Sequence, residues 1–384
     1  MFPKDRRFGW GVFASAACMM VLFLGPGAGP ARGASEGPLW EVPRARSLSL
    51  VDESVQVAGL AWLREEPSVL RRLPARMKDR VSPAVWGLAQ HPSGARIRFR
   101  TDSLRLGLVA KNPDASTMHH MTSVGQNGFD LYVDGQYRSS AWPDAKGLIQ
   151  REWTLSEDRR MREVTLYLPL YKAVTLERLV LESGAALSMP TPLARPRPVV
   201  FYGSSITQGG CAENPGLSYT AILGRSLNLD FINLGFSGAG LGEPAVAEAV
   251  SEIEAEAFVL DYWANPSPEV YRDTLPGFVD TLRRRHPRTP ILVTGPFWFP
   301  AEAGSTSLHV QQEGKRKTAR DFVAARRKAG DRAITFVDGL QMLSPSQGSG
   351  LVDGVHPNSL GFQHCADGLE PHLRQALRLP AKRR

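Results

Sequence analysis

Residues 199–208 read Val-Val-Phe-Tyr-Gly-Ser-Ser-Ile-Thr-Gln, a short apolar run that passes through a glycine and two serines into the start of a helix. Such a junction presents a serine hydroxyl at the end of a strand. Far along the chain, Asp353-Gly354-Val355-His356-Pro357 offers a carboxylate and an imidazole three residues apart. Serine, histidine and aspartate together suit acyl transfer. A serine hydroxyl is a poor nucleophile at neutral pH until an imidazole takes its proton and a carboxylate fixes the imidazole tautomer. The common elbow Gly-x-Ser-x-Gly is not the motif here, because its fifth position is Thr207. Plainer readings stand beside these residues. Gly-Ser-Ser ahead of a helix is also N-cap chemistry, and Asp-Gly is a turn dipeptide that recurs at Asp134-Gly135 and Asp338-Gly339. Among eight histidines His356 stands out, three residues after Asp353 and just before Pro357-Asn358-Ser359, which reads as a helix start.

Four blocks occur in order: Gly203-Ser204-Ser205-Ile206-Thr207, Asn233-Leu234-Gly235-Phe236-Ser237-Gly238, Asp261-Tyr262-Trp263-Ala264-Asn265, and Asp353 with His356. Over about residues 198–378 this series resembles the SGNH (GDSL-type) esterases. The departure is Ser204, where the family's commonest motif has aspartate; alignment on Gly203 and Ile206 makes Ser205 the nucleophile. The resemblance implies His356 as the base and Asp353 as its orienting carboxylate. It also implies an oxyanion hole made of the backbone N–H groups of Ser205 and Gly238 and the side-chain amide of Asn265. Gly235 and Gly240 flank Gly238, and Asn265-Pro266 also reads as a turn. By resemblance to two-domain members, the substrate is a short-chain ester, acetyl foremost, of a carbohydrate or similar polyhydroxylated molecule. Trp263 and Trp298, with Phe299, are candidates to stack on it, the alternative being core packing. An acyltransferase with the same residues, and a carbohydrate-binding protein with an inert second half, are the other readings.

Positioning these groups requires strands that end side by side. Apolar runs at 199–202, 231–234, 257–260, 291–294 and 334–337 alternate with helical stretches, which predicts an α/β, flavodoxin-like doubly wound parallel sheet. Each candidate residue then falls after a strand, at the carboxyl edge where such sheets bind ligands. Earlier, residues 95–101, 104–109, 129–133, 163–168 and 176–181 are short, β-forming and separated by turn residues, which predicts an antiparallel β-sandwich of jelly-roll type. Pro190, Pro192, Pro196 and Pro198 break every periodic pattern between them. The expected plan is a leader at 1–34, the sandwich at 37–186, a linker at 187–197, the hydrolase domain at 198–378 and a basic tail at 379–384. Gly128-Phe129-Asp130-Leu131-Tyr132 resembles the GxDLY motif of a module found ahead of certain SGNH esterases, as do the surroundings at 98–103 and 166–171. Asp130 is read as a satisfied structural carboxylate in preference to a ligand contact.

With 384 residues and 42% hydrophobic content the chain can bury two cores. Its formal charge of +8 includes Lys4, Arg6, Arg7 and Arg32 near the start and Lys382-Arg383-Arg384 at the end, and no basic stripe interleaved with aromatics points to nucleic acid. The basic start, the apolar run 10–24 and the small residues up to Ala34 predict a secretory signal peptide, hence export to the periplasm or medium without stable membrane association once it is removed. An uncleaved anchor is the alternative; Cys18 is a poor lipoprotein acceptor and Arg6-Arg7 a weak twin-arginine signal. Cys211 and Cys365 are too few for a disulfide framework. No metal or cofactor is expected: His119-His120 would point to opposite faces of a strand, with no cysteine or carboxylate partner at suitable spacing, so a loop role is read for them.

Overall fold

Period-2 patterning builds the first half. In the computed structural model, which describes residues 37–114 and 116–380, the strand Arg96–Thr101 buries Ile97 and Phe99 on one face and carries arginines on the other. The leader, Cys18 and the last four residues of the tail lie outside the described residues. Among the described residues ten strands form this half: β1 (Arg46–Ser47), β2 (Gln56–Ala58), β3 (Arg96–Thr101), β4 (Arg105–Lys111), β5 (Phe129–Val133), β6 (Gln136–Ala141), β7 (Leu148–Thr154), β8 (Arg162–Tyr167), β9 (Thr175–Leu181) and β10 (Leu187–Ser188). One antiparallel sheet runs β1-β9-β4-β7; the other runs β10-β3-β8-β5-β6, with β2 added to β3. Their inner faces share one core that includes Ile97, Phe99, Leu106, Leu108, Phe129, Leu131 and Leu166, so the two sheets form the expected sandwich. The five strands absent from the sequence reading are short or weakly patterned: β6 is exposed over its first half, and β7 fully buries only Ile149 and Trp153. Two helices, α1 (Pro83–Ala89) and α2 (Ser123–Asn127), lie among these strands in sequence.

The second half alternates strands β11 (Val199–Gly203), β12 (Phe231–Gly235), β13 (Ala257–Asp261), β14 (Ile291–Thr294) and β15 (Ile334–Val337) with helices. The helices are α3 (Ser205–Gln208), α4 (Tyr219–Leu227), α5 (Pro244–Ser251), α6 (Pro268–Arg285), α7 (Ala301–Gly304), α8 (Thr306–Lys328) and α9 (Ser359–Ala376). The strands pair in parallel in the order β12-β11-β13-β14-β15, which counted within this half is the flavodoxin-like 2-1-3-4-5. β11, β12 and β13 are buried along their whole lengths, which is why they read as unbroken apolar runs and not as alternating ones. The helices pack as two groups, α4 with α9 and α5 and α8 with α6. Strand order reverses at β11, so the crevice for a ligand opens beyond the carboxyl ends of β11, β12 and β13.

The second core also takes in residues of the first half: Met77, Tyr132, Tyr167, Leu170 and Tyr171 pack within it. Arg96 of β3 crosses the same boundary, pairing with Asp230, donating to the Phe231 carbonyl at 3.2 Å and lying over the Phe231 ring. No helix among the described residues is long and apolar enough to cross a membrane.

Candidate active site

The turn that carries Ser205 is held by packing. A Cβ on Gly203 would come within 1.9 Å of Thr207 Oγ1 and 2.6 Å of the Asp261 carbonyl oxygen, so only glycine lets β11 turn into α3. Ser204 caps the helix, its Oγ accepting from the Ile206 N–H at 3.2 Å. Ser204 thus performs the capping that either serine could have supplied, and Ser205 Oγ is left to pair with His356 Nε2 at 2.9 Å. As the first residue of α3, Ser205 has an N–H with no acceptor inside the helix.

Asp353 and His356 sit on a loop closed by Val352 N–H to the His356 carbonyl at 2.8 Å and by Cys211 N–H to the Pro357 carbonyl at 3.0 Å. Asn358 then caps α9 through the Gly361 N–H. One oxygen of Asp353, Oδ1, accepts from the N–H groups of His356 (2.8 Å) and Val355 (2.9 Å); the other, Oδ2, faces His356 Nδ1 at 2.8 Å. Partial burial pushes this carboxyl up, but the three hydrogen bonds and the imidazole outweigh it and hold the acid at about 2. The carboxylate is therefore charged at any working pH, and a hydroxyl, an imidazole and a carboxylate stand hydrogen-bonded in series.

Gly235, Gly238 and Gly240, in and just after the second block, separate on physical grounds. A Cβ on Gly235 would strike the Gln208 nitrogen at 2.2 Å, and one on Gly240 the Gly203 carbonyl oxygen at 2.3 Å, so both are packing glycines. Gly238 has open space around it; what it requires is its φ of +70° at an exposed turn beside the crevice. Gly240 N–H donates to Asn265 Oδ1 at 3.1 Å, which fixes the amide with its NH₂ as the remaining donor.

Asp261, at the end of β13, forms the frame beneath. It is buried, and its carboxylate accepts from Thr294 Oγ1 (2.5 Å), Trp263 Nε1 (2.9 Å), Tyr219 OH (2.7 Å) and Thr207 Oγ1 (3.0 Å). Burial pushes its acid pKa up, and these four donors oppose that. The network ties α3, α4, β13 and β14 together. Asp261→Ala leaves four donors without their acceptor and is expected to lower stability by about 3 kcal/mol in denaturant unfolding. This arrangement also corrects the expectation for Trp263. Its ring is 1% exposed, bonded to Asp261 and wedged edge-on against Phe297 at 5.0 Å, so it is a core residue and offers no face to a substrate. Phe299 is likewise buried; Trp298 is half-buried.

The first half supplies residues that local spacing does not reveal. Tyr171 OH donates to the Ser205 carbonyl at 3.0 Å, and Gln208 of α3 donates to the Leu170 carbonyl at 3.1 Å while accepting from Ser237 N–H at 3.0 Å. Arg72 is 1% exposed without a carboxylate partner among the described residues; its guanidinium bonds the carbonyls of Leu88, His91, Asn233 and Gly235, steadying the strand end that leads to Gly238. Burial lowers its pKa to about 9. Asp130 of the GxDLY segment is fully buried, accepting from Ser140 Oγ at 2.6 Å, Gly216 N–H at 2.8 Å and the Asn214 amide, which agrees with the structural reading. It latches the sandwich to the loop that follows α3.

His119-His120 lies in a loop, as expected, and the fold brings His120 a neighbour from elsewhere in the chain: its ring nitrogen, that of His356 and Cys211 Sγ are within 4.8 Å of one another. Cys211 lies 91 positions from His120, so no local spacing signals it. Cys211 and Cys365 are both buried and free.

A hydroxyl–imidazole–carboxylate series at the carboxyl edge of a parallel sheet defines the class of an α/β hydrolytic enzyme. Comparison with known proteins agrees. Residues 196–374 match the model of the GDSL-like lipase/acylhydrolase family, and residues 48–186 match the GxDLY N-terminus of SGNH-hydrolase-type esterases. A GDSL-like lipase structure from Bacteroides ovatus is 30% identical, with a TM-score of 0.79, covering 88% of this chain and 100% of its own. The chain belongs to the GDSL-like lipase/acylhydrolase family and is a carboxylic-ester hydrolase by class. Two more distant structures share the fold. The salicylyl-acyltransferase SsfX3 of a tetracycline biosynthetic pathway is 22% identical, with a TM-score of 0.74, over 88% of this chain and 99% of its own. A family two carbohydrate esterase of Clostridium thermocellum, solved with cellohexaose, is 18% identical with a TM-score of 0.56, over 74% of this chain and 93% of its own. Comparison with curated proteins gives no significant match.

Proposed function

We propose that the chain is an exported serine esterase that removes short acyl groups, acetyl foremost, from a carbohydrate or similar polyhydroxylated ester. The observation that carries this reading is the pair of hydrogen bonds linking Ser205 Oγ to His356 Nε2 at 2.9 Å and His356 Nδ1 to Asp353 Oδ2 at 2.8 Å. In it, His356 takes the Ser205 proton as Oγ attacks the ester carbonyl, and Asp353 holds the imidazole tautomer and stabilises the imidazolium. The oxyanion is received by the N–H groups of Ser205 and Gly238 and the NH₂ of Asn265. His356 then protonates the leaving alcohol and activates the water that frees the acyl group. Support for a sugar substrate comes from the carbohydrate esterase solved with cellohexaose, whose fold this chain shares, and from the half-buried Trp298 as a stacking surface. Export is supported by the composition of residues 1–34.

The test is hydrolysis of p-nitrophenyl esters from acetyl to octanoyl by the mature protein. A rate that peaks at acetyl supports the proposal and leads on to acetylated sugars. Absence of hydrolysis of every ester would overturn it in favour of an acyltransferase with its own donor, or of a binding protein. Within the same assay, Asn265→Ala is expected to lower kcat by about 10²–10³-fold with little change in KM, the signature of a donor that acts on the oxyanion.

A further inference from the structure

His120, Cys211 and His356 come from three separate places: the loop ahead of α2, the turn after α3, and the loop before α9. The rings of His120 and His356 lie 5.3 Å apart between centroids, and the ligand atoms of all three residues fall within 4.8 Å of one another. Because Asp353 occupies His356 Nδ1 at 2.8 Å, the ring nitrogen left to face this cluster is Nε2, the same atom that holds Ser205 Oγ. Two imidazoles and a thiol are donors that select borderline cations such as zinc over calcium or magnesium. With bonds of about 2.0–2.1 Å to nitrogen and about 2.3 Å to sulfur, ligand atoms of a tetrahedral site stand roughly 3.3–3.7 Å apart, so closure needs a movement of about 1 Å. His120 can supply that movement from its half-exposed loop, while Cys211 is buried and pinned through its N–H to the Pro357 carbonyl. Asp353 behind His356 supplies the outer carboxylate that orients a ligating imidazole.

We propose that His120, Cys211 and His356 form an inhibitory site for zinc or a similar borderline divalent cation, which captures His356 Nε2 and so removes it from Ser205. Two metal–nitrogen bonds and one metal–sulfur bond form, the thiol proton passes to water, and a water completes the tetrahedron. The inhibition, though not the binding, rests on the reading of His356 as the general base.

The test uses the mature protein with Co²⁺ as a spectroscopic stand-in for Zn²⁺, followed by ester hydrolysis in chelator-buffered Zn²⁺. One Co²⁺ per chain is expected to give a thiolate-to-metal charge-transfer band that Zn²⁺ displaces, with the hydrolysis rate falling over the same Zn²⁺ range and recovering with chelator. His120→Ala and Cys211→Ser are expected to keep metal-free activity and to raise the apparent Kd by about 10–100-fold or more. The half-exposed His120 variant guards against a folding defect in the buried Cys211 variant. Absence of a thiolate band at millimolar Co²⁺, a band unchanged in both variants, or metal binding that leaves the rate untouched would each overturn the proposal. A band lost in Cys211→Ser from a protein that hydrolyses no ester would support the metal site and count against the esterase reading.

Discussion

Replacing Ser205 with alanine is expected to lower kcat on a short-chain p-nitrophenyl ester by about 10⁵-fold or more while leaving the melting temperature nearly unchanged. The two halves of that expectation have separate causes. Loss of the hydroxyl removes the attacking atom, and what remains is the contribution of substrate binding and of the oxyanion donors. Stability is spared because the cap of α3 is made by Ser204 Oγ to Ile206 N–H, and among the described residues Ser205 Oγ has only His356 as a side-chain partner. Ser204→Ala is the informative contrast, since it loses a helix cap and keeps the nucleophile. A Ser205→Ala protein that retained more than a few per cent of the rate would sink the assignment.

The second large effect is expected at Asp353. Asparagine there preserves an acceptor for the N–H groups of Val355 and His356 but can present an NH₂ to His356 Nδ1, which favours the imidazole tautomer with its proton on Nε2. That proton would sit where Ser205 must donate, and a fall in kcat of about 10⁴-fold follows with the loop still folded. The charge on Asp353 has its own pH signature. Its folded pKa is depressed to about 2 from the ordinary 3.8, so the stability it contributes is fully present above about pH 4 and is lost as pH falls through 2. Acid inactivation in the wild type at pH 4 or above therefore has a source other than this carboxylate, and unfolding monitored from pH 4 to 2 should show a loss of stability that Asp353→Asn lacks.

How much of this was legible before folding differs by element. The parallel strands were readable because burial on both faces turns each into an unbroken apolar run, as in Ala257–Asp261. β6 and β7 were not, because an outer face left to solvent erases most of the pattern. Ser205, Asp353 and His356 were picked out by the resemblance of four ordered blocks to the SGNH esterases, with a loop of three residues setting the spacing of the last two, and they stand hydrogen-bonded in series. Trp263 was misread because an aromatic beside a strand end looks the same in sequence whether its ring faces the crevice or, as here, bonds the buried Asp261 carboxylate.

By itself, the sequence determined the two fold classes and their order, which rest on local periodicity, and the Asp353–His356 pair, which rests on a short loop; Ser205 was singled out by the resemblance of its block to the SGNH esterases. Only the tertiary structure decided that Ser204 and not Ser205 caps α3, that Arg72 and Tyr171 of the first half brace the strand end and the Ser205 turn, and that Cys211 stands against two histidines. Those relations join groups up to 163 positions apart. Side chains so distant in sequence meet only where the sheet edge, the sandwich and the last loop converge, and no periodicity or spacing along the chain encodes that meeting.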